Sequence, residues 1–166
     1  MFSWRIQCLT ALCCLGFNEC GSLISLPQDI KHLTALESLK IINCEKLNLV
    51  EGDDYLTRLR ELTICGLPEL VSLPQWLKGS ANTLQLLNIS FCENLAVLPG
   101  WLLDLYSLRK LWIQFCPKLL SLPEWMNRLL ALRQLHIVDC PKLKRNCERS
   151  TKIGARWSNS LGSISR

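Results

Sequence analysis

Leucine recurs along this 166-residue chain at a nearly constant interval. Leu12, Leu36, Leu59, Leu84, Leu108 and Leu132 are 24, 23, 25, 24 and 24 residues apart. The same steps separate Leu15, Leu39, Leu62, Leu87, Leu111 and Leu135, and they separate Cys20, Cys44, Leu67, Cys92, Cys116 and Cys140. A fixed period of this size marks a stack of equivalent supersecondary units, each too small to bury its own apolar side chains and each dependent on its neighbours. Within one unit, Leu111-Trp112-Ile113 alternates at strand spacing, so Leu111 and Ile113 face one side and Trp112 the other. Cys116 falls where the chain must leave the strand, and a small, weakly polar, buried side chain suits that turn. Leu122-Pro123 then interrupts pairing, because proline has no donor to offer a neighbouring strand.

The fifth unit reads Leu108, Leu111, Ile113, Cys116, Leu119, Leu122, Pro123, Met126, Leu129. This resembles the leucine-rich repeat, with its L-x-x-L-x-L-x-x-N/C signature and one strand per repeat. The resemblance covers roughly residues 9 to 146. It implies an α/β-type leucine-rich-repeat solenoid, a short curved horseshoe. About six parallel strands would line its concave face, and the convex side would be mostly irregular or short-helical. Residues 1–8 form an uncapped lead-in, residues 9–146 the solenoid, and residues 147–166 a basic tail or cap.

Composition narrows the function. The net charge is +5, but residues 142–166 hold seven basic residues and one acid, so the solenoid before them is near neutral. The tail lacks the aromatic interleaving or motif of a nucleic-acid binder, and a solvated cap is the simpler reading. No apolar run reaches 18 residues, which argues against membrane insertion. Cys8 to Phe17 mimics a weak signal peptide, yet Leu9, Leu12, Leu15 and Phe17 keep repeat phase. Of ten cysteines, five share one repeat position and are explained by packing; parallel side chains on stacked coils do not form disulfides. Unpaired buried thiols suit a reducing compartment, so a cytoplasmic location is expected. Cys8, Cys13, Cys14 and Cys20 lack structural-zinc spacing, and Glu51-Gly52-Asp53-Asp54 lacks the full spacing of a calcium loop. No metal and no cofactor is expected. Lys78-Gly79-Ser80-Ala81-Asn82, one residue longer than its counterparts, reads as a convex or edge loop that tolerates insertion.

Two details sharpen the resemblance. Tryptophan follows the Leu-Pro step three times, at Trp76, Trp101 and Trp125, and the repeats read L-x-I-x-x-C-P-K-L at Leu111 to Leu119 and Leu135 to Leu143. With Cys147, Gly154 and Trp157 in the closing segment, these look like the C-terminal repeats of plant coiled-coil-type nucleotide-binding leucine-rich-repeat disease resistance proteins. Arg156 stands where that family usually has an acid, and the usual His-Ile-Pro near the end is missing. No G-x-x-x-x-G-K-[ST] occurs, so nucleotide binding is not assigned to these residues. The resemblance implies a recognition module in plant defence. Its partner would be a pathogen effector, a modified host protein, or the receptor's own nucleotide-binding domain. A general intracellular scaffold outside immunity and a truncated, non-functional paralogue are the alternatives.

Recognition in such a stack falls to the residues between the inward positions. The middle ones are Gly16, Lys40, Thr63, Asn88, Trp112 and His136, and the next row is Asn18, Ile42, Cys65, Ser90, Gln114 and Val138. The candidate protein-binding residues on the concave face are Lys40, Asn88, Phe91, Arg109, Trp112, Gln114, Phe115, Arg133 and His136, centred on an exposed Trp112, because interfaces favour aromatic and Arg anchors. The convex tryptophans read instead as a packing ladder. Catalysis is not expected. The two histidines are His32, in the loop before Leu33, and His136, near Asp139, and the repeat cysteines should be buried and inert.

Overall fold

The computed structural model describes residues 8–49, 56–123, 126 and 128–143. Glu51 to Asp54, Trp125, and the tail from residue 144 on lie outside the described residues. Six five-residue strands, β1 (Cys14–Asn18), β2 (Ser38–Ile42), β3 (Glu61–Cys65), β4 (Leu86–Ser90), β5 (Lys110–Gln114) and β6 (Gln134–Val138), form one parallel sheet in sequence order. Pairing is strictly in register: Leu15, Leu39, Leu62, Leu87, Leu111 and Leu135 are successive partners, as are Phe17, Ile41, Ile64, Ile89, Ile113 and Ile137. The repeat period therefore sets the register. A slip of one residue would turn every Leu and Ile outward.

The second and fourth residues of β2 to β6 are buried, as alternation requires. They join Leu36, Leu59, Leu84, Leu108 and Leu132 from the strand approaches and Leu47, Leu70, Leu95 and Leu119 from the turns beyond, in one continuous core. In the first coil Leu12, Leu15 and Phe17 are only partly buried.

The return path is 3-10 helical. Gln28–His32, Gln75–Ser80 and Gly100–Asp104 each follow a proline in extended conformation, at Pro27, Pro74 and Pro99. Each proline carbonyl accepts from the N–H three residues on, at Ile30, Leu77 and Leu102, and Pro123 does the same for Met126. Proline thus ends sheet pairing and opens the short helix at once. His32 is the last residue of its helix. The Lys78–Asn82 stretch differs from the expected tolerant loop. It lengthens the helix by a residue and buries Ser80, whose hydroxyl donates to the Leu56 carbonyl. Thr83 Oγ1 adds a bond to the Leu59 carbonyl at 2.9 Å.

Of the tryptophan ladder, Trp76 is fully buried and its Nε1 donates to the Leu49 carbonyl at 3.1 Å. Trp101 is partly buried, with Lys78 Nζ 6.0 Å from its ring centroid.

Candidate functional site

The outward face of the sheet presents parallel rows, fixed by register. The middle row runs Gly16, Lys40, Thr63, Asn88, Trp112, His136, and the row at the strand ends runs Asn18, Ile42, Cys65, Ser90, Gln114, Val138. Lys40 is exposed, while Asn88, Trp112, Gln114 and His136 are half-buried. Trp112 was expected to be exposed. Its ring instead lies edge-on to the His136 imidazole, centroids 6.3 Å apart at 62°. On its other side in register is Asn88, whose Oδ1 is buried and accepts no hydrogen bond from the described residues. A buried acceptor without a donor costs free energy, so this amide is a strained point in the middle of the face.

Arg109 and Arg133 precede β5 and β6 and belong to the row where the chain enters the sheet. Their backbones are pinned: the Arg109 carbonyl accepts the N–H of both Arg133 and Gln134, at 2.8 and 3.0 Å. Cys13, Glu37, Arg60 and Gln85 accept in the same forked way in the coils before. Arg109 and Arg133 are both exposed. In the same row Arg60 Nε lies 3.4 Å from Glu37 Oε1, an exposed pair of little energetic consequence.

Phe91 and Phe115 are not on the sheet face. Each lies one residue past its strand, where the chain turns away, with φ of 53° and 52°. The equivalent residues Glu19, Asn43, Gly66 and Asp139 are also left-handed, at 54°, 51°, 64° and 49°. The N–H of Glu19, Asn43, Gly66, Phe91 and Phe115 still pairs with the last strand carbonyl of the following coil, at 2.8 to 3.0 Å, and the left-handed φ then turns the chain out of the sheet. The two phenylalanines stack, centroids 4.5 Å apart and planes within 10°. They remain 52% and 38% exposed, so they do not serve to pack the turn. Asn, Asp and Gly at equivalent positions were the sequence signal for a left-handed residue here.

Behind the rim the cysteines form an internal ladder. The Sγ of Cys44, Cys92, Cys116 and Cys140 each lie 3.3 to 3.4 Å from the carbonyl two residues back. Each sulfur also accepts a backbone N–H from the coil before, as Cys116 does from Cys92 and Cys140 from Cys116. Sulfur thus accepts from a donor that a methyl group would leave orphaned, and adds a second contact to a carbonyl already paired with the coil before. Cys92 is held below the usual thiol range by accepting from Cys116, against the opposing effect of burial. For Cys116 the largest influence, donation from Cys140, lowers the pKa; its own donation to Cys92 and burial outweigh that and push it up to about 11. Donation to Cys116 and then burial raise Cys140 further, and burial first of all raises Cys44. Raised, buried thiols are poor nucleophiles. Among the described residues no His, Cys, Asp and Glu side chains converge as a metal site. No helix among them is long and apolar enough to cross a membrane.

Two solved structures share the architecture. A leucine-rich-repeat protein of Leptospira interrogans aligns with a TM-score of 0.63 at 21% identity, over 82% of this chain and 35% of that one. The leucine-rich repeat domain of the type III effector XopL aligns with a TM-score of 0.53 at 20% identity, over 86% of this chain and 66% of that one. The chain therefore spans about a third of the first and 66% of the second. Neither a protein-family model nor a curated protein matches it. The fold is that of a short leucine-rich-repeat solenoid.

Proposed function

We propose that this chain is a protein-recognition module, the recognition part of a plant immune receptor of the coiled-coil nucleotide-binding type. It acts in the cytoplasm, engaging a pathogen effector or a modified host protein. In a complete receptor it also contacts the nucleotide-binding domain and restrains its switch. The defence assignment is supported by the Leu-Pro-x-Trp steps and the L-x-I-x-x-C-P-K-L repeats. The observation that carries the binding role is the Trp112–His136 pair on the same two strands that exposed Arg109 and Arg133 lead into. An aromatic centre with arginine beside it is the composition of an interface hot spot. Lys40, Asn88 and Gln114 extend the same face and supply polar contacts. The core beneath holds nearly constant Leu and Ile, so the face can vary without loss of fold.

The test is binding of the full chain to a panel of secreted pathogen effectors and of isolated nucleotide-binding modules, with wild type beside Trp112→Ala and Arg133→Ala. At least one panel member should bind, and both substitutions should weaken it about tenfold or more while the unfolding midpoint stays put. Effector binding indifferent to both substitutions would overturn the site. Face-dependent binding confined to signalling proteins outside defence would instead establish the scaffold role.

A further inference from the structure

The rim carries a feature that neither the sheet face nor the core requires. Phe91 and Phe115 hold left-handed backbone, a conformation that disfavours bulky side chains. Asn43 and Asp139 meet the same backbone demand with side chains that tolerate it, and Gly66 meets it without one. The strain therefore brings no benefit to the turn, while it places a stacked aromatic pair in solvent. Unrewarded strain of this kind points toward a functional role.

An open pocket of about 470 Å³ lies over the pair, lined by Phe91, Glu93, Phe115, Pro117, Asp139 and Pro141. Its charged side chains are both acids, Glu93 and Asp139, in a chain whose net charge is +5. Phe91 and Glu93 also line the adjoining pocket, which adds Glu45, Glu69 and Lys46. The joined groove thus holds four carboxylates and one ammonium group. It crosses five coils, from Asn43 to Asp139, or roughly 19 Å at the spacing of parallel strands, the length of about six extended residues.

The stack stops where the next ring would stand. Phe91, Phe115 and Asp139 are equivalent positions in consecutive coils, and the short Asp139 leaves the outer face of Phe115 beside an open slot with a carboxylate across it. A guanidinium fits that slot: planar, cationic, able to stack on the ring and to pair with the carboxylate in a two-pronged hydrogen bond. We propose that this rim is a second binding site, distinct from the sheet face, for a short extended basic peptide segment. One arginine of that peptide completes the aromatic stack between Phe115 and Asp139, and Glu93, Glu69 and Glu45 read further basic residues along the groove.

The experiment uses the full chain and three capped hexapeptides of alanine and serine with a single central arginine, citrulline or glutamate. Binding is followed by NMR titration of the protein. Citrulline keeps the planar shape and removes the charge. The arginine peptide should bind at least about tenfold more tightly than the citrulline peptide, the glutamate peptide should not bind, and shifts should centre on Phe115 and Asp139. Phe115→Asn and Asp139→Asn, each placing the residue that Asn43 naturally puts in this left-handed position, should each weaken binding about fivefold or more. Trp112→Ala should leave it unchanged, which separates this site from the sheet face. Equal affinity for arginine and citrulline would overturn the proposal, as would indifference to Asp139→Asn. Self-association of the chain abolished by Asp139→Asn, with no peptide affinity, would assign the groove to a second copy and overturn it too.

Discussion

Trp112→Ala removes a large ring from the middle of the sheet face, yet two opposing effects should leave stability nearly unchanged. The ring is half-buried, and losing its contacts costs roughly 1–2 kcal/mol, about half of what full burial of a large apolar side chain is worth. Against this, the indole is the larger of the two register neighbours of Asn88, the other being Thr63. Its removal lets water reach the orphan Asn88 Oδ1 and relieves roughly 1–3 kcal/mol of desolvation cost. The net change should lie within about 1 kcal/mol of zero. A double-mutant cycle separates the two effects. Asn88→Val, which deletes the orphan acceptor and suits a central strand, should stabilise the protein on its own. In that background Trp112→Ala has no acceptor to rehydrate and should cost its full contact loss, with a coupling of about 1–3 kcal/mol. Urea unfolding followed by far-ultraviolet circular dichroism gives all four stabilities. Additivity within about 0.5 kcal/mol would refute the reasoning, because Asn88 and Trp112 would then not share a desolvated contact.

Leu111, fully buried between Leu87 and Leu135, should behave in the opposite way: Leu111→Ala should cost roughly 2–5 kcal/mol by urea unfolding, through the cavity it leaves. Gly66→Ala meets both a left-handed φ of 64° and the Asn43 side chain, whose Oδ1 occupies the space a Cβ would need. It should lower stability by roughly 2–3 kcal/mol, and Asn43→Gly should restore only the part due to collision, leaving the roughly 1–2 kcal/mol of backbone strain. The raised thiols carry a pH dependence: unfolded thiols ionise near the usual 9.0 while Cys116 stays protonated to about 11, so folding stability should be intact below pH 9 and fall across pH 9–11. Cys116→Ala should flatten that fall in denaturation midpoints taken at each pH. With a thiol-specific disulfide reagent at neutral pH, exposed Cys8, Cys13 and Cys14 should react at once, and buried Cys44, Cys116 and Cys140 only after denaturant is added.

The sheet was legible in the sequence because one physical demand, burial, repeats with one period. Leu39, Leu87 and Leu135 declare both the strand and its register, since no other pairing keeps every Leu and Ile inside. The cysteine position was legible as small and buried, but its reason, a sulfur bonded both to its own coil and to the one before, needed coordinates. The middle row was placed correctly, and the burial of Trp112 was not, because partial cover by flanking side chains has no sequence period. Phe91 and Phe115 read as sheet-face residues because they cluster in the later repeats with Trp112 and His136. The strand ends at Ser90 and at Gln114, and the turn residue beyond obeys backbone sterics rather than alternation. Asn43, Gly66 and Asp139 at that position were the clue, obscured by the two aromatic residues in the repeats between Gly66 and Asp139.

These rows also decide what a partner can do. Trp112 and Phe115 are three residues apart, about 10 Å in extended chain, so the sheet face and the rim are close enough for one ligand to touch both. If one protein does so, its contact at the first site holds its basic segment near the second at high effective concentration, and affinity exceeds what either site gives alone. Trp112→Ala and Asp139→Asn would then each weaken that protein. A hexapeptide lying along the rim, across the coils rather than along the strands, would respond to Asp139→Asn alone. If the sites serve separate proteins, each substitution weakens one and spares the other. The protein's response to both single variants therefore tells one bivalent surface from two independent ones. It needs no structure of the complex, because the fold keeps the two rows on a common backbone whose core neither substitution enters.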